Sequence, residues 1–351
     1  MKNKIDTNIL KTYISNDYIK CVKHPKENLF IYNYTQKTQY ERFWDDITMQ
    51  CRGIVLDEVG NIIAKPFDKF FNIEEHNEND IPKNKNFEVF DKVDGSLIIV
   101  FNYKDKWHVC TKGSFTSEQS IKARDMIWNK YDYSILNNYK DYTFLFEIVY
   151  PENRIVVNYG LEEDLHLITA INIEDYSEKN YDELLEFSKL FGSKIVKRYD
   201  GVKDFKKIRE NLNETNKEGF VVRFENGFRL KMKYEEYCKL HKVVTNLSNK
   251  VIWEHLKERK DICDILDNVP DEMFSSIKEI VNDFNKRYDE IINECVSVYK
   301  VLDSRKDTAI YFKEQKYPHI LFSMLDEKDY SDDVWKLLKP KYERVLFNVE
   351  E

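Results

Sequence analysis

Two strand-like stretches are separated by Lys92-Val93-Asp94-Gly95-Ser96. Residues 87–90 precede this motif and residues 97–101 follow it, and both stretches are rich in the β-branched and aromatic residues that favour strands. Asp-Gly between two such runs is a strong hairpin signal, because glycine readily adopts positive φ. The sequence therefore predicts a β-hairpin whose turn carries Lys92.

Lys92 itself allows two interpretations. It can be an exposed lysine on an ordinary turn. A tight turn against an apolar sheet can also hold one amine in a fixed, partly dry place. Burial and neighbouring cations lower the pKa of a lysine and free its lone pair, which makes it a nucleophile. The rest of the chain has to decide between the two.

Length and composition predict a soluble protein of two domains. The 351 residues suffice for one large domain and a smaller one, and the composition of 34% charged and 42% hydrophobic residues is that of a globular chain. The six cysteines are too far apart in sequence for a zinc site or a disulfide framework. Neither a signal-peptide pattern nor a membrane-spanning apolar run is present. We expect a monomer in the cytoplasm, or in the cytoplasm of an infected host cell for a viral chain, with no membrane partner.

The charge distribution argues against indiscriminate binding of polyanions. The formal net charge is −8, from 55 basic and 63 acidic residues. Residues 246–351 hold 17 of the basic and 23 of the acidic residues, so most of the excess negative charge lies there. Non-specific nucleic-acid binding needs positive charge. A nucleic-acid site would therefore be a local patch, and we expect it in the first 245 residues.

The hydrophobic pattern changes from strand to helix along the chain. Alternating stretches predict strands at 51–57, 62–65, 107–112, 143–150, 165–171, 219–224 and 228–234. Helix signals with suitable caps cover about 118–132 and 180–192. From about residue 240 the helical period dominates, over 271–302 and 330–338. These patterns predict the α+β class, with an antiparallel-sheet domain at 1–242 and an all-α domain at 243–351.

Glu147 interrupts an apolar strand and so needs an explanation. Burying a carboxylate without compensation is costly, so it must find a cationic partner or a metal. The alternative is a structural salt bridge or an edge position that faces water.

A second hairpin places charged residues on one face. If Asn226-Gly227 forms a two-residue turn, Val222 pairs with Lys231 and Phe220 pairs with Lys233. Glu218, Lys231 and Lys233 then project together over an apolar floor of Phe220 and Val222. Such a face suits a nucleotide, with lysines for phosphates and a carboxylate for a cation. The alternative is a solvated face whose lysines protect a sheet edge.

The order of these elements carries a family resemblance. Along the chain come Arg52-Gly53, Lys69-Phe70-Phe71-Asn72, the Lys92 motif, Lys112-Gly113, Glu147, Glu218-Gly219 and Lys231-Met232-Lys233. Together they resemble the covalent lysyl-nucleotidyltransferase superfamily, whose ligases have an ATP-grasp-like fold, and within it the bacteriophage RNA ligase 1 family. Ser96 after the glycine is similar to the RNA-ligase form, whereas DNA ligases and capping enzymes usually carry arginine there. The resemblance covers residues of about 50–240.

The resemblance implies a role for each matching residue. Lys92 would attack the α-phosphorus of ATP and form lysyl–AMP, on a turn shaped by Asp94 and Gly95. Lys231 and Lys233 would stabilise the α-phosphate and the departing pyrophosphate.

The remaining matches would complete the nucleotide site. ATP would also contact Arg52, Lys69, Phe71 and Lys112. Glu147 and Glu218 would bind Mg²⁺, for which Mn²⁺ could substitute, and Glu147 could instead bind the ribose. A tyrosine of the family follows Lys233, and both Tyr237 and Tyr234 are candidates for it.

The expected function is that of an ATP-dependent RNA ligase. It would join 5′-phosphate and 3′-hydroxyl ends of single-stranded or nicked-loop RNA, with tRNA repair as a candidate task and the helical domain selecting the substrate. One alternative is another covalent nucleotidyltransferase, either an mRNA-capping guanylyltransferase or a DNA ligase, although no OB-fold pattern follows Tyr234. The other is a non-catalytic nucleotide- or RNA-binding protein of the same fold. The complete set of lysines and glutamates argues against that second alternative.

Overall fold

The computed structural model describes residues 4–208, 216–266, 269 and 273–345. The chain divides into two compact units, Met1–Cys238 and Lys239–Glu351. The division falls within a helix, Glu235–Asn246, which also contains the boundary predicted at 242/243. That boundary stays a prediction about domains.

The first unit begins with an antiparallel sheet that helices flank. Its strand order is β1-β2-β3-β4. The strands are β1 Ile19–Lys23, β2 Leu29–Tyr34, β3 Arg52–Asp57 and β4 Ile62–Ala64, and the helices are α1 Thr7–Ser15, α2 Gln36–Tyr40 and α3 Asp46–Gln50.

A five-stranded sheet forms the centre of the first unit. Its order is β11-β10-β9-β7-β8, with only the β10–β11 pair parallel. The strands are β7 Ser96–Tyr103, β8 Lys106–Thr111, β9 Tyr142–Val149, β10 Asp164–Asn172 and β11 Lys194–Ile195. Two helices pack on it, α4 Glu118–Asn129 and α5 Tyr181–Phe191. Successive side chains of a strand point to opposite faces, so Ile98 joins the helix-covered core while Ile99 packs with Val55 and Ala64 of the first sheet.

A third sheet has the order β5-β13-β12-β6, and its β13–β5 pair is parallel. The strands are β5 Phe71–Asn72, β6 Phe87–Asp91, β12 Gly219–Phe224 and β13 Arg229–Lys233. The predicted strands and the two predicted helices of this unit are thus confirmed, within a few residues at their ends.

The predicted Asp-Gly hairpin is wrong. β6 pairs with β12 in the third sheet, whereas β7 pairs with β8 and β9 in the second. The motif that begins at Lys92 therefore connects two sheets, and Gly95 is not among the glycines with positive φ. Glycine is needed at position 95 because the backbone there lies close to β9. The sequence signal failed because strand character shows that two stretches extend but not which strands they pair with.

The second hairpin forms, but its predicted register is wrong by one residue. Val221 pairs with Lys231 and Gly219 with Lys233, around a loop that contains Gly227 at φ +84°. A three-residue loop closed by a glycine of positive φ replaces the predicted two-residue turn. Phe220 and Val222 consequently lie in the buried core of the third sheet, with the other buried members of that core: Ile81, Val89, Phe205, Ile208, Phe224, Leu230 and Met232.

The described elements after the third sheet are helices, as predicted. They are α6 Glu235–Asn246, α7 Asn249–Lys257, α8 Cys263–Leu266, α9 Phe274–Val298, α10 Arg305–Lys313, α11 Pro318–Leu325 and α12 Ser331–Leu337. The apolar period predicted over 271–302 corresponds to α9, which buries Ile277, Phe284 and Ile291; residues 271 and 272 lie outside the described part. Among the described residues, no helix combines the length and apolar character of a membrane span. The α+β class with a helical C-terminal part is confirmed.

Mild acid should weaken the first unit through His108. Its ring stacks on Phe101 with centroids 5.4 Å apart, and its buried Nε2 has no hydrogen-bond partner among the described residues. Burial, with the charge of His24, lowers the pKa of His108 from 6.5 to about 4. Between these values the unfolded chain binds more protons, so stability falls as the pH drops from 6.5 towards 4. Urea midpoints at pH 7 and pH 5 should show this loss, and a smaller one in His108→Phe. An equal loss in both proteins would contradict it.

Candidate active site

A cavity of about 210 Å³ collects side chains from all three sheets. Its charged lining includes Arg52, Lys92, Glu147, Lys231 and Lys233, which are five of the predicted site residues. They come from β3, the sheet connection, β9 and β13, which are distant in sequence. The fold thus brings together one nucleophile candidate, one carboxylate and three further cations. We call it the phosphate cavity, for the charge that such a set can bind.

Lys92 shares one buried carboxylate with Lys233. Its Nζ lies 2.6 Å from Glu218 Oε2, and Lys233 Nζ lies 2.7 Å from Glu218 Oε1. Glu218 is only 3% exposed, and both of its oxygens are occupied by lysines. Gly219 follows at φ +148°, where an added Cβ would lie 2.0 Å from the Met232 carbonyl oxygen. The strand pair can therefore approach this closely only with glycine beside Glu218.

The amine of Lys92 is charged in the free protein. Burial lowers the pKa of Lys92, but the negative charges of Glu218 and Glu147 outweigh burial and raise it above its ordinary value. The expected lowering of this pKa by burial and neighbouring cations is therefore outweighed by two carboxylates in the free protein. Burial likewise raises the pKa of Glu218, and the charges of Lys92 and Lys233 lower it below the usual value. Nucleophilic attack from Lys92 requires that its ammonium group first lose a proton.

Asp94 anchors the connection that carries Lys92. Its Oδ2 accepts hydrogen bonds of 2.9 Å from the backbone N–H groups of Val156 and Val157. Its own N–H donates to the Tyr159 hydroxyl at 2.9 Å, and its Oδ1 accepts from the Tyr237 hydroxyl at 2.7 Å. With the side chain 4% exposed, these bonds hold the residue two places from Lys92 in a single position.

The two tyrosine candidates have different surroundings. Tyr237, on α6, reaches the motif, whereas the Tyr234 ring packs against Phe220 with centroids 5.5 Å apart. Sequence spacing alone could not separate them, because both follow Lys233 within four residues.

Gly95 is needed for a close approach of two backbones. A Cβ at this position would lie 2.3 Å from the Ile148 carbonyl oxygen and 3.1 Å from Glu147 Cγ. The connection therefore rests directly on β9, the strand that carries Glu147. Ser96 continues the contact, since its Oγ lies 3.2 Å from the side-chain amide of Asn153. The motif positions Lys92 and Glu147 against each other through backbone contact.

Glu147 has no ion pair or hydrogen bond to another side chain in the described part of the protein. Burial raises its pKa to about 7; Glu218 and Asp94 add to this rise, while Lys92 and Arg52 oppose it. A carboxylate in this state is poised to ionise when a cation arrives.

Two cations of the site, Arg52 and Lys231, have no ion pair among the described residues, unlike Lys92 and Lys233. Burial lowers the pKa of Lys231 to about 7, helped by the positive charges of Lys69, Lys92 and Arg52. The Nη1 of Arg52 is buried with no hydrogen-bond partner among the described residues. An unpartnered buried donor is rare and costly, and a bound oxyanion would satisfy it. Lys112 is close to this group, because a Cβ on Gly53 would lie 2.7 Å from Lys112 Cα.

The predicted site residues divide into three groups. Five line the phosphate cavity, as given above. Lys69 and Phe71 line a second cavity of about 360 Å³ beside it. The other four line neither cavity: Asp94, Gly95, Lys112 and Glu218.

Sequence reasoning missed several residues of the phosphate cavity. Its apolar wall includes Ile168 and Val221, and its far end holds the ion-paired residues Arg229 and Glu178. Val221 could have been found from the correct hairpin register, which pairs it with Lys231. No local signal marked Ile168 or Glu178, since both reach the cavity through the packing of the second sheet against the third.

Comparison with known proteins identifies the class to which this site belongs. The family model described as RNA ligase matches residues 50–237. This stretch is more than half of the chain and holds every predicted site residue, so the chain belongs to this RNA ligase family. The resemblance to the bacteriophage RNA ligase 1 family is thereby confirmed.

Individual relatives agree with the family match. An RNA ligase of Rhodothermus phage RM378 is 23% identical over 91% of this chain and 90% of its own length. A protein of Autographa californica nuclear polyhedrosis virus, described as a bifunctional polynucleotide kinase/RNA ligase, is 27% identical over 66% of this chain. The chain spans 36% of the length of that viral protein.

Solved structures are more distant. An archaeal ATP-dependent RNA ligase has 12% identity and a TM-score of 0.48, over 91% of this chain and 77% of its own. A mutant RNA ligase of Naegleria gruberi with AMP and Mn has 18% identity and a TM-score of 0.37, over 44% and 51%.

Proposed function

We propose that this protein is an ATP-dependent RNA ligase that joins 5′-phosphate and 3′-hydroxyl ends, with Lys92 as the residue that carries AMP. The observation that supports this most is a pair of partly buried cations near Lys92, Arg52 and Lys231, that have no ion pair among the described residues. A triphosphate would supply the missing negative charge. Transfer of a nucleotidyl group depends mainly on positioning and on stabilisation of charge, and such a ring of cations provides both.

The first step would form the lysyl–AMP bond. After losing its proton, Lys92 Nζ attacks the α-phosphorus, so that a P–N bond forms and the P–O bond to pyrophosphate breaks. Glu218 Oε2, at 2.6 Å, is the nearest proton acceptor to Lys92. As that hydrogen bond weakens, Lys233 remains beside Glu218 Oε1 and keeps the carboxylate paired. Lys231 and Arg52 face the negative charge that moves onto pyrophosphate.

A divalent cation fits the site at Glu147. Mg²⁺ is commonly held by one or two carboxylates together with substrate phosphates and water, and Glu147 is a cavity-lining carboxylate with no ion pair or side-chain hydrogen bond among the described residues. No cluster of three or more metal-ligating side chains occurs among the described residues, so phosphate and water would complete the shell. The metal would withdraw charge from the phosphates; Mn²⁺ could replace it, as in the Naegleria gruberi enzyme solved with ATP and Mn. Glu218 could bind the metal only after Lys92 or Lys233 gives up its contact with the carboxylate.

The later steps would use the same cavity. AMP would pass from Lys92 to the 5′-phosphate of an RNA, and the 3′-hydroxyl of a second end would then displace AMP. We propose single-stranded or nicked-loop RNA as the substrate, with cut tRNA as the particular case. The helical part after residue 242, with its acidic balance, would select the substrate by shape more than by charge.

Covalent labelling tests the proposal. Incubation with Mg²⁺ and α-labelled ATP should leave acid-labile label on the protein, and peptide mapping should locate it at Lys92. A protein that stays unlabelled would refute the proposal, while preferential labelling by GTP would favour a capping enzyme. Sealing of nicked anticodon stem-loops should then be compared with sealing of unstructured oligonucleotides, which tests the tRNA assignment.

Binding of pyrophosphate should be accompanied by proton uptake at Lys231. The lowered pKa of about 7 leaves this lysine mostly neutral at pH 8. A bound polyanion favours its charged form, so binding at pH 8 should take up about one proton per molecule. Calorimetric titration in buffers of different ionisation enthalpy measures this number, and Lys231→Met should remove it. Equal heats in all buffers for the wild-type protein would contradict the prediction.

A further inference from the structure

The second cavity, of about 360 Å³, has a chemistry of its own. Six ring-bearing side chains line it, which is an unusual density: Phe67, Phe70, Phe71, His76, Tyr176 and Phe228. We call it the aromatic cavity. Its volume lies within the range of roughly 300–1,000 Å³ that is typical of ligand pockets.

The rings near His76 line the aromatic cavity and contact one another at inclined angles. The His76 and Phe228 centroids are 5.2 Å apart at 57°, and those of Phe71 and His76 are 6.0 Å apart at 82°. Because neither of these pairs is stacked face to face, the rings do not cover each other's faces. Flat aromatic partners are the ligands that such walls favour, and unpaired nucleobases bind proteins in this way.

Two polar groups in the aromatic cavity lack the partners that they need. His76 Nε2 is buried without a hydrogen bond within the described part of the chain. Lys69 has no carboxylate at ion-pair distance among the described residues; its Nζ lies 5.1 Å from the Phe71 ring, 5.2 Å from the Trp44 ring and 5.4 Å from the Tyr34 ring. Lys65 and Arg229, by contrast, are paired with Asp68 and Glu178.

These features together define a ligand. The aromatic rings can stack on a base, and His76 Nε2 can bond to the edge of that base. Lys69 can bind the attached phosphate. These three features match one nucleotide of a single strand. We infer that the aromatic cavity binds the nucleotide at an RNA end that is to be joined. This inference rests on the proposed function, and it names the part of the substrate that the site would recognise.

The location supports this inference. The aromatic and phosphate cavities share the side chains of Phe67, Phe70, Glu178 and Arg229 as a common wall. Lys69 is near enough to contribute, next after burial, to the lowered pKa of Lys231 in the phosphate cavity. A base held in the aromatic cavity would thus leave its phosphate on the side of the reacting groups. Lys69 and Phe71, which the family resemblance assigns to ATP, line this cavity rather than the first.

Two substitutions test the inference in the full-length protein. Phe228→Leu removes a stacking ring but keeps an apolar side chain against Phe224. His76→Phe keeps a ring and removes Nε2. Tyr40→Ala, at a side chain that is 90% exposed, is the matched control for loss of an aromatic residue. The substrates are a pre-adenylylated RNA donor and an RNA acceptor with a 3′-hydroxyl, each made with either a normal or an abasic terminal nucleotide.

The expected result separates RNA recognition from the first chemical step. Loss of one stacked base typically weakens binding about tenfold. In Phe228→Leu, the KM for one of the two RNA strands should rise by about that factor, and in His76→Phe, which loses one hydrogen bond to the base edge, it should rise roughly threefold to tenfold. In both variants kcat and lysyl–AMP formation should stay within about twofold. For the wild-type protein, the same strand with an abasic end should show the same rise, and the variants should add little to it. The strand whose KM rises, donor or acceptor, shows which RNA end binds in the aromatic cavity.

Three results would overturn the inference. One is an equal fall in lysyl–AMP formation, which would place these residues in ATP binding or folding. Another is an unchanged KM in both variants. The third is an unchanged KM of the wild-type protein when either strand carries an abasic terminal nucleotide. If wild-type protein forms no lysyl–AMP, the proposed function fails separately, and anisotropy with a labelled single-stranded RNA still tests the cavity through Phe228→Leu.

Discussion

Lys92→Ala should form no lysyl–AMP, even after long incubation with ATP and Mg²⁺. The reason is chemical, since no other amine can occupy the position that Asp94 and Gly95 establish for this one. The variant should still fold, because Glu218 keeps its 2.7 Å contact with Lys233 and is not left as an unpaired buried charge. Acid-precipitated label, counted over time, measures the effect directly.

Two further measurements distinguish a nucleophile from a structural lysine at position 92. Lys92→Arg keeps a positive charge opposite Glu218 but cannot act as the nucleophile, so it should also stay unlabelled. Both variants should retain sealing of a pre-adenylylated RNA, because the last step does not use the amine. Lys122→Ala, which removes a lysine paired with Glu163 at 2.8 Å, should label like the wild-type protein. Label persisting in Lys92→Ala would exclude Lys92 as the AMP carrier.

Gly95→Ala should slow lysyl–AMP formation by about a hundredfold or more. Its Cβ would lie 2.3 Å from the Ile148 carbonyl oxygen, a backbone atom that cannot simply rotate away. Either the connection carrying Lys92 or the strand carrying Glu147 must move. Displacement of a reacting group by about 1 Å can cost that factor in rate. The measurement is the single-turnover rate of labelling at saturating ATP.

Gly113→Ala is the matched control for this prediction. It lies next to a predicted site residue, Lys112, but a Cβ there would meet no heavy atom within 4 Å. It should label at close to the wild-type rate. A thermal melt of both variants shows whether Gly95→Ala acts by local displacement, with a small change in Tm, or by general unfolding. Equal labelling rates in the two variants would show that the close contact at Gly95 does not position the site.

The raised pKa of Lys92 gives the free protein a resting state. While its ammonium group is bonded to Glu218, the amine cannot attack. The positive charge of Lys92 is then balanced by the Glu218 carboxylate. Arrival of a metal at Glu147 and of phosphates beside Lys231 would change the balance of charge at the same time. On the proposed function, the substrate itself would then activate the site, which would limit modification of Lys92 in the absence of ATP.

The sequence by itself determined the chemistry and the class of fold. The order Arg52, Lys92, Glu147, Glu218 and Lys231 carried the resemblance to the RNA ligase family, which the family match over residues 50–237 confirmed. The strand alternation before residue 240 and the helical period after it predicted the α+β class. These are local properties, in which each residue's character and its spacing to near neighbours carry the information.

Only the tertiary structure decided which of these residues act together. Lys92 and Glu218 are 126 residues apart, and their hydrogen bond results from the pairing of β6 with β12 in the third sheet, whereas the Asp-Gly signal predicted that β6 pairs with β7. Alternation along a strand shows which side chains share a face but not the partner strand or its register, so Val221 was missed in favour of Val222. The charge of Lys92 and the position of Lys69 and Phe71 in the aromatic cavity depend on distances between remote segments. Electrostatic and packing energies depend on those distances, and the distances cannot be read from the order of residues.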